Sequence, residues 1–189
     1  LGGMGPYATI DLFKKIVDEA TSFGPRNFSL HLFGEPLLSP DIIPMIKYIK
    51  KKNKKNIILL TTNGVFLDKE KAEKIIAANV DKIVISIHGS SREKYKEITG
   101  VDQLEKVEEN IQNIIEEKRG VKNNKTKICL RMVIPVENKE EIKKFREKWS
   151  KYPIVVDIRE PHNFGGRIKA KRPDAKRYPC YHLWLSPGI

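Results

Sequence analysis

Short apolar runs alternate with helix-period stripes along almost the whole chain, and no other feature restricts the fold so strongly. The runs occupy residues 28–33, 57–60, 82–87, 127–134 and 154–158 and read as strands. Between them lie stripes at helical spacing. Leu12, Phe13, Ile16, Val17 and Ala20 follow a Thr9 cap and precede a Gly24-Pro25 stop. Ile42, Met45, Ile46 and Ile49 follow Ser39, placed to be an N-cap with Pro40 at the first helical position. Asp68 opens a helix carrying Ala72, Ile75, Ile76 and Asn79. Asp102 with Glu105, and Asn138 with Glu141, have capping-box spacing before two further stripes at 104–115 and 142–149.

Successive strands start a βα unit apart, not a hairpin apart, and parallel neighbours require such crossovers. The pattern therefore encodes an α/β fold, a parallel sheet covered by helices. A doubly wound sheet and a barrel or partial barrel both satisfy it, although five strands are too few for the usual eight-strand barrel of ~250 residues. In either architecture ligands gather at the carboxyl ends of the strands. Those ends carry Glu35, Asn63, Ser86 with His88, Pro135, and the run 159–163. The apolar run leading into Gly34-Glu35-Pro36 makes Glu35 a functional candidate in preference to a plain surface turn.

With 189 residues, 40% of them hydrophobic, the chain can build one cored domain with a short appendage. No stretch approaches the ~20 apolar residues of a membrane span, and no signal-peptide pattern opens the chain, so a cytoplasmic protein without a membrane partner is expected. A net charge of +12 invites a nucleic-acid reading. The densest basic run, residues 50–55, falls where a helix should end and cations favour the helix dipole. Elsewhere lysines alternate with glutamates, and no aromatic residues interleave with the run to stack on bases. Nucleic acid is accordingly not the expected partner. His31 and Cys129, within strands, are expected in the core. Arg131 interrupts an apolar strand and needs an anion, either a bound carboxylate or an acid on an adjacent strand.

Taken together the strand ends resemble those of the radical S-adenosylmethionine (SAM) enzymes, in particular the SPASM branch with its C-terminal cluster-binding extension. Phe33-Gly34-Glu35-Pro36 is similar to the family's Gly-Gly-Glu-Pro motif, Thr62-Asn63-Gly64 to its next strand end, and Ile85-Ser86-Ile87-His88-Gly89 to its Ser-Ile-Asp-Gly. Ile98-Thr99-Gly100 and His162-Asn163-Phe164-Gly165-Gly166 continue the series in order. The resemblance implies a parallel-stranded partial (β/α)6 TIM-like barrel over residues 1–168, lacking its first strand and cluster loop, and a linker with the start of a SPASM-like segment over 169–189. It implies SAM contacts from Phe33, Gly34, Glu35, Asn63, Ser86, Arg131 and His162, with the Glu35 carboxylate toward the methionine ammonium. It also implies a 4Fe-4S cluster, a peptide or small-molecule substrate, and an electron donor such as flavodoxin or ferredoxin. Cys180 is the candidate ligand of an auxiliary 4Fe-4S cluster. His88 stands where the family has Asp.

The implied activity is reductive cleavage of SAM to a 5'-deoxyadenosyl radical that abstracts hydrogen from substrate. The departure from the family pattern is the CxxxCxxC motif, which does not occur; the only cysteines are Cys129 and Cys180. Retention of Glu35, Pro36 and Asn63 leads to the expectation that the cluster ligands lie upstream of Leu1 in the whole protein, a chain without them being inactive. The alternative is a non-catalytic basic module that binds nucleic acid or acidic peptide on the same barrel.

Overall fold

The computed structural model describes residues 8–31, 34–135 and 137–161. Its elements follow one another as α1 (Ile10–Thr21), β1 (Asn27–Leu30), a 3-10 turn at Pro36–Leu38, α2 (Ile42–Lys52), β2 (Ile57–Thr62), α3 (Lys69–Ala77), β3 (Lys82–Ser86), α4 (Arg92–Thr99), α5 (Leu104–Gly120), β4 (Lys127–Val133), α6 (Lys139–Trp149) and β5 (Val155–Arg159). The five strands are all parallel and lie in sequential order, β1-β2-β3-β4-β5. A doubly wound sheet would reverse its order at a switch point; this sheet never does, so it is the singly wound sheet of a partial barrel.

Because a right-handed crossover recurs between sequential strands, every helix falls on one side. The side chains agree. Phe28, Leu30, Ile58, Leu60, Ile83, Ile85, Ile128, Leu130, Met132, Val156 and Ile158 share one face and join the core with Val17, Ile46, Ile49, Ile75, Ile111, Ile114, Phe145 and Trp149. The opposite, lumenal face is polar at its rim, carrying Ser86, Arg131, Asp157 and Arg159. Among the described residues no helix is long and apolar enough to cross a membrane.

Several local expectations hold. The Thr9 hydroxyl caps α1 by accepting from Leu12 N, and Asp68 caps α3 by accepting from Lys71 N. Others are corrected. The first strand ends at Leu30, and His31 beyond it is exposed rather than packed in the core. Pro40 lies outside α2, whose N-cap is Asp41, while Ser39 Oγ accepts from Asp41 N in a turn. Neither capping box forms: Asp102 is clamped by the Arg92 guanidinium, and Glu141 accepts from Ser90 N and Ser90 Oγ across the fold. Cys129 is buried as expected, though on the lumenal face and outside the helix-covered core cluster.

The basic run is partly consumed by the fold. Lys50 Nζ donates to Asn56 O at 2.7 Å and to Asp81 Oδ2 at 2.6 Å, and Lys52 pairs with Asp18 at 2.8 Å. Asp81 Oδ2 also accepts from Ile58 N, so these cations stitch strand and helix ends instead of presenting a free phosphate-binding row.

Candidate functional site

At the carboxyl edge of the sheet three loops are fastened to one another through side chains. Glu35, just past Gly34 and half-buried, accepts from Leu37 N (3.1 Å) and Thr62 Oγ1 (2.6 Å) through Oε1 and from Asn63 N (2.7 Å) through Oε2. The chain can reach this geometry because Gly34 adopts a φ of +94°, open to glycine without strain. Thr62 Oγ1 in turn accepts from Gly64 N at 3.0 Å, and Asn63 Oδ1 accepts from Val65 N at 2.9 Å. The Thr62-Asn63-Gly64 turn is thus closed on itself and tied to Glu35.

The turn is also held from behind. Gly64 has φ +80°, and a Cβ there would lie 2.9 Å from Ile85 Cγ2 and 3.1 Å from Val107 Cγ1, so the β2 loop presses directly on β3 and α5. Asn110, buried in the apolar stripe of α5, donates through Nδ2 to Gly64 O (2.8 Å) and Val65 O (3.3 Å). Sequence patterning overlooks Asn110; its one signal is an amide between Val107 and Ile111 on a face that is otherwise aliphatic.

After β3, Gly89 lets α4 approach closely: a Cβ at Gly89 would sit 2.6 Å from Tyr95 N. Helix α4 was not among the expected elements. Ser91 caps it and Gly100 ends it at φ +76°, but only Tyr95 among its residues is buried, too little periodicity to announce a helix. A cavity of about 380 Å³ opens between the β2 and β3 loops and α4, lined by Asn63, Val65, Phe66, Ser86 and His88 and closed by Tyr95, Thr99, Val101, Gln103 and Lys106. The bidentate pair of Arg92 with Asp102, at 2.8 to 3.0 Å, braces the wall that carries Val101 and Gln103. Burial holds the His88 imidazole below its ordinary pKa and the Tyr95 phenol above its own, so both stay uncharged near neutral pH.

Of the residues expected to contact SAM, Asn63 and Ser86 meet in this cavity and Glu35 joins them through Asn63. Arg131 lies opposite Ser86 in the next strand, and its Nε donates to Asp157 Oδ2 at 2.9 Å, the adjacent-strand anion that its position required. Arg159 Nε meets the same oxygen at 2.9 Å. Burial pushes the Asp157 carboxyl up, but the two guanidiniums outweigh it and hold the group below the usual carboxylate range. Phe33, His162 and Cys180 lie outside the described residues.

The donor chemistry fits SAM: an acid for an ammonium at Glu35, and neutral and cationic donors around the neighbouring cavity. It does not fit an iron–sulfur cluster. Among the described residues no group of His, Cys, Asp or Glu could hold a metal, and two cysteines in all cannot supply three thiolates. Burial raises the Cys129 thiol above its ordinary pKa, as befits packing and not ligation.

A family model described as the radical SAM superfamily matches residues 2–148. The chain is 35% identical over 160 residues to a protein of Saccharolobus islandicus described as a probable GTP 3',8-cyclase, a match covering 84% of this chain and 49% of that protein. A protein of Methanococcus maripaludis with the same description is 37% identical over 112 residues, 59% of this chain and 37% of its own. The chain thus spans about half the length of the first curated relatives it matches. In fold it is similar to native anSMEcpe solved with bound AdoMet and the peptide Kp18Cys, with a TM-score of 0.62 at 17% identity over 80% of this chain and 42% of that one.

Proposed function

This chain belongs to the radical SAM superfamily, and from that premise we propose that the carboxyl edge of β1 to β4 holds SAM in an enzyme that cleaves it reductively and abstracts hydrogen from a nucleotide substrate. The observation that carries the reading is the Glu35 latch: one carboxylate bound to the ends of two adjacent strand loops, beside a cavity containing Asn63 and Ser86. In the family's chemistry a four-iron cluster supplies the cleaving electron; the residues present here bind and orient. Glu35 takes the methionine ammonium while its other bonds keep the loops in register. Asn63 and Ser86 offer an amide and a hydroxyl to the rest of the amino-acid arm, and Gly34 leaves the backbone bare beside it. Phe33 and His162 belong to the same proposal from the sequence pattern.

For the substrate, a purine ribonucleoside triphosphate such as GTP is the better supported member of the small-molecule class. Relatives at 35 to 37% identity carry the description "probable GTP 3',8-cyclase". A peptide substrate, an auxiliary cluster at Cys180 and membership of the SPASM branch rest on motif resemblance and on a fold likeness at 17% identity. The test is SAM cleavage by the full-length, cluster-loaded protein, followed as 5'-deoxyadenosine release. Stimulation by GTP supports the nucleotide reading; stimulation by peptides alone overturns it in favour of the peptide-modifying one. The basic-module reading loses ground because Lys50 and Lys52 are spent on Asp81 and Asp18.

A further inference from the structure

The amino-terminal edge of the sheet, opposite the site described above, gathers cations from every loop that enters a strand. Arg26 precedes β1, Lys54 and Lys55 precede β2, and Lys82 opens β3. Lys122, Lys125 and Lys127 lead into β4, and Lys151 lies in the loop before β5. Neighbouring strands lie about 4.8 Å apart, so these charges crowd an edge about 20 Å long. The one acid in the five loops is Asp81, and its carboxylate already takes Lys50 Nζ and Ile58 N. None of the loop cations forms an ion pair with a described residue.

Two observations independent of that charge point to something covering the edge. Lys82 and Lys127 are register partners in adjacent strands; Ile83 and Ile128, next to each, face the helices, so both lysines stand side by side on the lumenal face. Lys82 is half-buried, and like charges so placed repel unless an anion lies between them. The same edge also exposes apolar surface. Ile57 and Val155, which open β2 and β5, are 50% and 51% exposed, and Phe23 and Val121 in the adjoining loops are 82% and 43% exposed. Apolar residues ringed by uncompensated charge mark an interaction surface.

We propose that the amino-terminal edge of the sheet is a docking surface for an acidic polypeptide, whose carboxylates meet the loop cations and whose apolar side chains cover Phe23, Ile57, Val121 and Val155. A phosphodiester backbone would answer the lysines and leave the aliphatic residues uncovered. Among the described residues Phe23 is the one well-exposed aromatic ring on this edge, too few for base stacking. A lipid surface is flat, whereas Ile57 and Val155 belong to the strands and sit behind the loop residues. An acidic chain carrying aliphatic side chains meets both demands. The five to seven residues of β3, β4 and β5 hold this edge about 15–20 Å from the carboxyl edge, so a docked partner leaves the cavity at Asn63 and Ser86 open.

The test is binding of the full-length, cluster-loaded protein to a fluorescent synthetic peptide in which leucines are spaced among glutamates. A leucine-free peptide of glutamate and serine, a single-stranded RNA and phosphatidylserine vesicles are the comparison probes. The leucine-bearing peptide should bind at least about fivefold more tightly than the leucine-free one, and should weaken as salt is raised. Lys125→Glu with Lys127→Glu should weaken it at least about tenfold, and Ile57→Ser with Val155→Ser about fivefold. Lys69→Glu with Lys139→Glu makes the same charge change at the helix starts of the carboxyl edge and should leave binding within about twofold. Should the Ile57 and Val155 variant fail to fold, the comparison of the two peptides still reads the apolar contribution. An equal loss in the Lys69 and Lys139 variant reduces the effect to net charge and overturns the proposal. So do equal affinity for the two peptides, absence of peptide binding, and tighter binding of RNA or vesicles, which assigns the edge to nucleic acid or membrane. Release of 5'-deoxyadenosine is read separately, so the SAM assignment stands or falls apart from this surface.

Discussion

The Glu35 carboxylate accepts the backbone N–H of Asn63 at 2.7 Å, so the loop after the first described strand is anchored to the loop after the second by the side chain proposed to meet the cofactor. On that proposal one group serves both structure and binding.

Glu35→Ala removes three hydrogen bonds to a charged acceptor, from Leu37 N, Thr62 Oγ1 and Asn63 N. Both backbone donors can turn to water at a half-exposed site, so the expected loss is about 2 kcal/mol rather than the full sum. Urea unfolding of the two proteins measures it, and a loss near zero would mean that the latch does not order the loops.

Gly64→Ala is expected to cost more than an ordinary surface change. The left-handed φ of +80° costs a non-glycine residue roughly 1–2 kcal/mol, and the new methyl would press on Ile85 and Val107 besides. A midpoint within error of the wild type in the same denaturation would show that the β2 turn relaxes freely.

Asn110→Leu keeps the size of the side chain while removing the donor to Gly64 O and Val65 O. Two carbonyls lose a buried partner, so stability should fall by about 1–3 kcal/mol. Because the turn it holds carries Asn63, SAM affinity should fall with it. Thermal melts and SAM titration of one preparation check both effects.

Much of this was legible in the sequence because it depends on local pattern. The alternation of apolar runs and stripes gave the parallel α/β order, and Thr9 and Asp68 gave true caps. What failed did so through tertiary competition. Asp102 and Glu141 have capping spacing, yet Arg92 and Ser90 claim them. Helix α4 escaped notice because it buries Tyr95 alone, resting on a neighbouring glycine instead of presenting an apolar stripe. At the site, Glu35, Asn63 and Ser86 were readable as strand-end residues. Tyr95, Gln103, Lys106 and Asn110 were not, since only the folding of α4 and α5 over the strand ends brings them there.

His88 gives the stability a pH dependence with a definite sign. Burial lowers its folded pKa below the ordinary 6.5, so between that value and the folded one the unfolded chain binds the extra proton. Stability contributed by neutral His88 is complete above pH ~6.5, declines as the pH falls through this window, and levels off below the folded pKa. Urea unfolding from pH 7.5 to 4.5 should show a decline there that His88→Gln lacks; identical slopes in the two proteins would contradict the burial.

The most direct measurement is the affinity of the full-length, cluster-loaded protein for SAM beside that of its Glu35→Gln variant, with circular dichroism confirming that both are folded. Neutralising the carboxylate while keeping its shape should weaken SAM at least about tenfold, as expected for loss of a charge-assisted bond to the ammonium. Equal affinity in the two proteins would mean that SAM does not sit against Glu35, and the carboxyl edge would lose its assignment.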